Sequence, residues 1–134
     1  MKPIQFNKLL TGCLMFFVLS AGSADAITIL EEKKLAEEFM TMIRSRQVLL
    51  EDPIVNHMVI EVGKHLLAPV SNQPFSFKFY VVNEDVFNAF AAPGGNIFFY
   101  RGLITSLDNI DEFAGIVGHE IAHAVSRHVS ESID

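Results

Sequence analysis

The chain has 134 residues, of which 50% are hydrophobic, and a formal net charge of -6. This length accommodates one small domain, and an acidic chain without a basic patch is not expected to bind nucleic acid. The single cysteine, Cys13, leaves the chain no second thiol for an internal disulfide.

Residues 1–26 have the pattern of an export signal. The segment has a short basic start with Lys2 and Lys8, continues as an apolar run at Leu9–Leu19 and ends with Ala24-Asp25-Ala26, the small-residue pattern of a signal peptidase site. We therefore expect a signal peptide at 1–26, a mature chain at 27–134 and a location in the periplasm or cell envelope. Two alternatives would associate the protein with a membrane. One is an uncleaved N-terminal segment, although a membrane span needs about 20 apolar residues, and the other is a lipidated Cys13.

Two helices are expected before the first strand. Ile27–Leu50 has apolar residues at helical spacing and a charged opposite face, which we interpret as solvated. The apolar residues are Leu35, Phe39, Met42, Ile43 and Leu50, and the charged ones are Glu31, Glu32, Lys33, Lys34, Glu37 and Glu38. Asp52-Pro53 predicts an N-cap followed by a proline at the first position of a second helix, which continues to Pro69. His57 and His65 in this helix lack a partner at ligand spacing, and we interpret them as surface histidines.

The hydrophobic period then changes from that of a helix to that of a strand. Between Phe75 and Val81 every second residue is apolar, which predicts a strand with one buried face. Val86–Ala91 and Asn96–Tyr100 are expected to be extended on either side of the Pro93-Gly94-Gly95 turn signal. Together with the helices, these segments predict a small α+β domain with an antiparallel sheet.

The last predicted element is a helix from Ile110 to about Ile133. Asp108 or Asn109 can serve as its N-cap, and acidic residues follow in the first turn, where the helix dipole favours them. One apolar stripe runs along it, made of Ile110, Phe113, Ala114, Val117, Ile121, Ala124 and Val125. Gly115 and Gly118 each weaken an isolated helix by about 1 kcal/mol, so we expect another element to approach closely there.

Within this helix, His119 and His123 are four residues apart, which places both imidazoles on one side, opposite the apolar stripe. Both rings can therefore reach one metal ion. Glu120 is rotated by about 100° from His119, which suits a general base acting on water at the metal better than a ligand. His-Glu-x-x-His is the pattern of zinc peptidases. The sequence thus predicts one Zn²⁺ held by His119 and His123, with Glu120 as the catalytic base.

Further stretches carry a more specific likeness. The run NAFAAPGGNI at 88–97, Gly102-Leu103, and the motif at 119–123 followed by His128 resemble the HtpX-like and BepA-like zinc metallopeptidases, a family that also contains the CAAX prenyl proteases and the Oma-type mitochondrial proteases. The likeness covers roughly Glu31 to Asp134. It implies a zincin-like fold of the gluzincin type, and cleavage of peptide bonds in misfolded or misassembled envelope proteins.

The same resemblance implies a strand edge that holds the substrate backbone beside the motif helix. The candidate substrate-binding residues are Asn88, Ala89, Phe90, Gly94 and Gly95. The alternative is that these residues form only a structural hairpin.

The chain departs from the family pattern at the third zinc ligand, which in the family is a glutamate on a later helix. Glu131 follows both histidines on the same predicted helix and cannot fold back to the metal, and His128 points about 180° from His119 and is interpreted as structural. We therefore expect 27–134 to be the N-terminal part of a zinc metallopeptidase domain, truncated before this ligand and inactive by itself. The alternative from another functional class is a catalytically inactive, exported binding or chaperone-like module.

Overall fold

The computed structural model describes residues 28–46, 48–73 and 75–131, with side chains as far as Ser126 in the last helix. The helices are α1 (Ile29–Ser45), α2 (Pro53–Leu67), α3 (Arg101–Ser106) and α4 (Ile110–Glu131), and the strands are β1 (Lys78–Val82), β2 (Ala89–Ala92) and β3 (Asn96–Tyr100). A 3₁₀ turn, Pro93–Gly95, joins β2 to β3. The predicted α+β class is confirmed. The predicted signal peptide and Cys13 lie outside the described residues.

The three strands form one mixed sheet in the order β1-β3-β2. β2 and β3 are an antiparallel hairpin, whereas β1 pairs with β3 in parallel, with Lys78 opposite Asn96. The predicted antiparallel sheet is therefore wrong for β1. Alternation and turn residues identify the strands in a sequence, but they do not determine which neighbour a strand pairs with.

The first helix is shorter than predicted. It begins after Thr28, whose side chain accepts from the backbone N–H of Glu31 while the Glu31 carboxylate accepts from the backbone N–H of Thr28, a capping box. The backbone N–H and the hydroxyl of Thr28 both donate to the Glu31 carboxylate at 2.8 Å, and these two bonds lower the pKa of Glu31. The helix ends at Ser45, so the prediction of a helix as far as Leu50 is wrong. The N–H of Leu50 instead donates to the carbonyl of Val81 at 2.8 Å, which attaches this segment to the outer edge of β1.

The second helix begins as the sequence predicts. The Asp52 carboxylate accepts from the N–H groups of Ile54 and Val55 at 2.9 and 3.1 Å, and Pro53 is the first residue of the helix. The helix ends at Leu67, close to the predicted end at Pro69. No described helix is long and apolar enough to cross a membrane.

The sheet separates two apolar cores. On the side of α2 and α4 the buried residues are Val59, Phe79, Val81, Ala91, Ile97, Phe99, Leu103, Phe113, Val117, Ile121 and Ala124. On the side of α1, three rings from the three strands stack in a row, with centroids 5.1 Å apart for Tyr80 and Phe98 and 4.9 Å apart for Phe98 and Phe90. Phe39 of α1 contacts Phe98 and Phe90 edge-on. Each face of the sheet therefore packs against described helices, α2 and α4 on one side and α1 on the other.

A contact across 62 residues joins α1 to the turn between β2 and β3. The Glu32 carboxylate accepts from the backbone N–H of Gly94 at 3.0 Å. Glu32 is half-buried, so its predicted place on a purely solvated face is wrong. Gly94 and Gly95 have φ angles of 77° and 76°, a region that favours glycine. The Asn96 side chain, which is buried, donates to the carbonyl of Pro93 at 2.8 Å. Helix α1 and Asn96 together fix the shape of this turn.

Candidate metal centre

Helix α4 is held at its start by a side-chain cap. The N–H of Glu112 donates to Oδ1 of Asn109 at 3.0 Å, and the N–H of Asp108 donates to Oε2 of Glu112 at 3.1 Å. Of the two predicted N-caps, Asn109 is therefore the one that the structure supports. The acidic residues of the first turn, Asp111 and Glu112, also complement the helix dipole.

One face of α4 packs on the sheet and on α2. Phe113, Val117, Ile121 and Ala124 are buried as the predicted stripe requires, but Ile110 is 55% exposed, and its place in that stripe is wrong. Among the described residues, nothing lies within 4 Å of a Cβ built on Gly115 or Gly118. The expected close approach at these glycines is therefore also wrong in the part of the chain that the structure describes.

The opposite face of α4 brings the two motif histidines together. Nε2 of His119 and Nε2 of His123 are 2.9 Å apart, their ring centroids are 4.4 Å apart, and the rings are nearly perpendicular. Both residues are exposed. A tetrahedral zinc ion with nitrogen ligands at 2.0–2.1 Å separates two of those nitrogens by about 3.3 Å, so a shift of a few tenths of an ångström would place both imidazoles on one ion. The donor atoms fit two of the four zinc positions.

Among the residues that the structure describes, no group of three or more His, Cys, Asp or Glu side chains is arranged to hold a metal ion. The side chains of His128 and Glu131 lie outside the described part of α4. The described donor set is therefore the pair of imidazoles.

Glu120 lies in a different environment from the histidines that surround it in the sequence. Only 6% of Glu120 is exposed, although both neighbouring motif histidines are exposed. The 100° step between successive helical residues accounts for this difference, because it turns Glu120 away from the direction of His119. The two histidines are therefore exposed, and Glu120 between them in the sequence is buried.

The predicted substrate-binding residues lie in the β2–β3 hairpin or directly before it, and their surroundings differ. Asn88, Ala89 and Phe90 are half-buried, whereas the two alanines that complete β2 are buried. The Phe90 ring belongs to the aromatic row under α1. Gly94 lies against Ala36 of α1, and a Cβ on Gly95 would lie 3.3 Å from Cβ of Phe75.

The two outer edges of the sheet differ. The outer edge of β1 is bonded at two points, by the Leu50 N–H described above and by the N–H of Asn83, which donates to the carbonyl of Val48 at 2.7 Å. No described strand pairs with the outer edge of β2, and β2 contacts α4. The sheet edge that a peptide could extend therefore belongs to the strand that contacts the motif helix.

The hydrogen bonds between β2 and β3 determine which backbone N–H and carbonyl groups of β2 point to this outer edge. The N–H of Tyr100 donates to the carbonyl of Asn88 at 3.0 Å, and Ala89 lies opposite Phe99. Since inward and outward residues alternate along an antiparallel pair, the peptide groups of Ala89 point away from β3. In the half-buried part of β2, Ala89 thus presents its N–H and carbonyl to the outer edge.

Sequence reasoning missed the support that Glu32 gives to the hairpin turn. Glu32 is one of six charged residues within eight positions of α1, and its partner Gly94 is 62 residues away. Only the capping pattern Thr28-x-x-Glu31 is a signal in this region that a sequence reader could have used.

Comparisons with known proteins identify the family of this chain. The sequence model of Peptidase family M48 matches residues 53–134. The chain is 31% identical over 115 residues to the beta-barrel assembly-enhancing protease of Yersinia pestis, covering 86% of this chain and 23% of the relative. It is 32% identical over 117 residues to the mitochondrial metalloendopeptidase OMA1 of Arabidopsis thaliana, covering 86% and 24%, respectively.

The human mitochondrial metalloendopeptidase OMA1 is 29% identical over 126 residues, covering 91% of this chain and 23% of that protein. The chain spans about a quarter of the length of these curated relatives. The family match covers more than half of the chain and includes the histidine pair, Glu120 and the hairpin. The chain therefore belongs to peptidase family M48, a family of metallopeptidases.

Proposed function

We propose that the chain carries the zinc-binding helix and the substrate-binding strand of a zinc-dependent endopeptidase. The observation that carries this proposal is the convergence of the His119 and His123 Nε2 atoms, 2.9 Å apart, on the open face of α4. Membership in peptidase family M48 supports a metallopeptidase, and its relatives are named as proteases and metalloendopeptidases. In this proposal His119 and His123 hold one Zn²⁺, and Glu120 is the catalytic base.

The roles of the protein groups follow from their positions. Zinc, when bound, would acidify a water molecule and polarise the scissile carbonyl. Glu120 would accept the proton of the attacking water and then return it to the leaving amine. The burial of Glu120 favours this role, because a carboxyl group with little access to bulk water can be tuned as a general base.

A polypeptide substrate would bind as an added strand on the outer edge of β2. Such a strand would bond at the outward peptide groups of Ala89, and β2 contacts the helix that carries the histidines. In this proposal Asn88, Ala89 and Phe90 form the accessible part of the binding edge. Gly94 and Gly95 contribute by giving the hairpin its turn.

A catalytic zinc site needs three protein ligands and one open position, and the described residues supply two. We therefore propose that a third ligand, a glutamate in the family pattern, completes the site in an active enzyme. For residues 27–134 we expect weak zinc binding that a chelator removes easily, and no cleavage of casein.

Calorimetric titration with zinc tests this proposal directly. His119→Ala and His123→Ala should each abolish the weak binding. His65→Ala should leave it unchanged, because His65 is exposed on α2 and is not one of the two proposed ligands. Zinc binding that survives both motif substitutions would contradict the proposed ligands.

We also propose export to the periplasm or cell envelope and action on misfolded or misassembled envelope proteins. Support comes from the sequence of residues 1–26 and from relatives named as beta-barrel assembly-enhancing proteases. N-terminal sequencing of the exported protein should begin at Ile27. Recovery of an intact Met1 or of a lipid-modified Cys13 would instead support the membrane-associated alternatives.

The second candidate function is an exported binding or chaperone-like module without catalysis. The observation that favours it is the two-nitrogen donor set among the described residues. The two functions differ in a simple assay of the exported protein isolated from its own organism. Chelator-sensitive peptide cleavage would support the protease, whereas peptide binding without cleavage in the presence of zinc would support the module.

A further inference from the structure

The outward N–H of Ala89 is not open to an incoming strand, because the neighbouring side chain occupies it. The N–H of Ala89 donates to Oδ1 of Asn88 at 2.9 Å. Both residues are half-buried at the start of β2. The Asn88 amide oxygen therefore takes the hydrogen bond that the carbonyl of an added strand would take.

The Asn88 backbone is held in the sheet while its side chain faces the edge. The carbonyl of Asn88 accepts from the N–H of Tyr100 at 3.0 Å, and the N–H of Asn88 donates to the carbonyl of Val86 at 3.2 Å. Rotation of the side chain would break the bond to Ala89 without disturbing either of these backbone bonds. The contact is thus reversible within an otherwise fixed hairpin.

We propose that the side chain of Asn88 is a removable guard of the β2 edge, bonded to the Ala89 N–H in the free protein and displaced by an extended polypeptide. This inference rests on the proposed binding of substrate to β2. An unpaired sheet edge is a site of unwanted association with other chains, and a side-chain acceptor at its accessible donor reduces that risk. Displacement exchanges one neutral hydrogen bond for another, so the guard would lower affinity without preventing binding.

The test compares the full 134-residue chain with Asn88→Ala and Asn88→Asp. Each protein is titrated, with a chelator present, with a fluorescently labelled and end-blocked hexapeptide of alternating valine and threonine. Asn88→Ala removes the guard and should tighten peptide binding by about three- to tenfold. Asn88→Asp should weaken binding, because a carboxylate accepts an N–H more strongly than an amide oxygen does.

These opposite signs separate a guard from a direct ligand, since both substitutions would weaken binding if Asn88 mainly contacted the peptide. Unchanged or weaker binding by Asn88→Ala, with the wild-type chain still binding, would overturn the guard but not the proposed edge. Absence of peptide binding by all three proteins would overturn the proposed substrate edge and the guard with it.

Amide hydrogen exchange without peptide gives a second readout. The Ala89 amide should exchange faster in Asn88→Ala than in the wild-type chain, while the Tyr100 amide, bonded to the Asn88 backbone, should keep its rate. An Ala89 exchange rate that does not change would overturn the guard whatever the peptide does. Equal urea midpoints for the three proteins would show that the comparison is made between equally folded chains.

Discussion

The aromatic ring of Phe79 fills the space beside Gly63 in which a side chain would lie. A Cβ built on Gly63 would overlap three carbons of that ring. Gly63 is buried in α2, and Phe79 is the second residue of β1. The missing side chain therefore sets how closely α2 packs on the edge strand of the sheet.

We predict that Gly63→Ala lowers the free energy of unfolding by about 1–3 kcal/mol, the usual cost of overpacking a core. Helix propensity acts in the opposite direction, because alanine is favoured over glycine by about 1 kcal/mol in a helix. The matched control is Gly115→Ala in α4, where nothing described lies within 4 Å of the new methyl group. Urea unfolding should show that the control is equally or more stable than the wild-type chain. A similar loss in both variants would refute the role given to Phe79.

We predict that Glu32→Ala lowers the free energy of unfolding by about 1 kcal/mol, since the Gly94 N–H loses its charged acceptor. Glu32→Gln should recover part of this loss, because a side-chain amide oxygen can accept the same N–H. Glu38→Ala, an exposed position on the same helix, controls for the change in charge. Urea midpoints measure all three. Equal midpoints for Glu32→Ala and Glu38→Ala would show that the contact contributes nothing to stability.

We predict that Tyr100 ionises above the ordinary tyrosine pKa of 10.0, because its burial, followed by the nearby Glu84 carboxylate, raises its pKa. A folded-state pKa above that of the unfolded chain means that the neutral form is preferred in the fold. The neutral Tyr100 side chain therefore stabilises the fold. This stabilisation is complete below the pKa that Tyr100 has in the unfolded chain, and it is lost as the pH rises through the higher pKa that Tyr100 has in the folded chain.

Tyrosinate absorbance in a Tyr80→Phe background, which leaves Tyr100 as the single tyrosine, measures this titration. Glu84→Gln should move the pKa of Tyr100 back towards 10.0, and Asp85→Asn serves as a control of equal charge change. A Tyr100 pKa at or below 10.0 in the parent would contradict the prediction.

We predict that Glu120→Gln in an active form of the protease lowers kcat by about 10²–10⁴ and leaves the zinc content unchanged. The reason is that the proposed site uses Glu120 as the base and the two histidines as the ligands, and Glu120 is buried whereas both histidines are exposed. Metal analysis and peptide turnover measured on the same preparation check both halves of the prediction. Near-normal turnover would exclude Glu120 as the base, and loss of zinc would indicate that it is a ligand.

The sequence predicts a local feature correctly where all the interacting residues lie in one short stretch. Asp52-Pro53 predicted the start of α2, and Asn96–Tyr100 has the predicted bounds of β3. The spacing of His119 and His123 predicted rings on one face of α4, and the described structure brings their nitrogens together. Each of these predictions depends on residues within about one turn of helix or one strand.

The errors concern partners that are distant in sequence. Helix α1 ends at Ser45, and Leu50 has its backbone partner at Val81, which no pattern in either segment shows. The sequence does not show the partner of Glu32, which is the backbone N–H of Gly94. Every residue except proline has a backbone N–H, so no residue type marks such a partner. The parallel pairing of β1 with β3 likewise depends on the path of the whole chain between Val82 and Asn96, which no short pattern predicts. The short helix α3 was not predicted either, since its six residues are too few to show a period.

The stacked row of rings under α1 has a consequence for spectroscopy. The chain contains no tryptophan and two tyrosines, and both tyrosines pack against the core on the α1 side of the sheet. Tyrosine emission and the tyrosine bands of near-ultraviolet dichroism therefore report on the α1 side of the sheet. Helix α4 contains no tyrosine, so a tryptophan or another label placed on that side is needed to follow its packing by tyrosine-type signals.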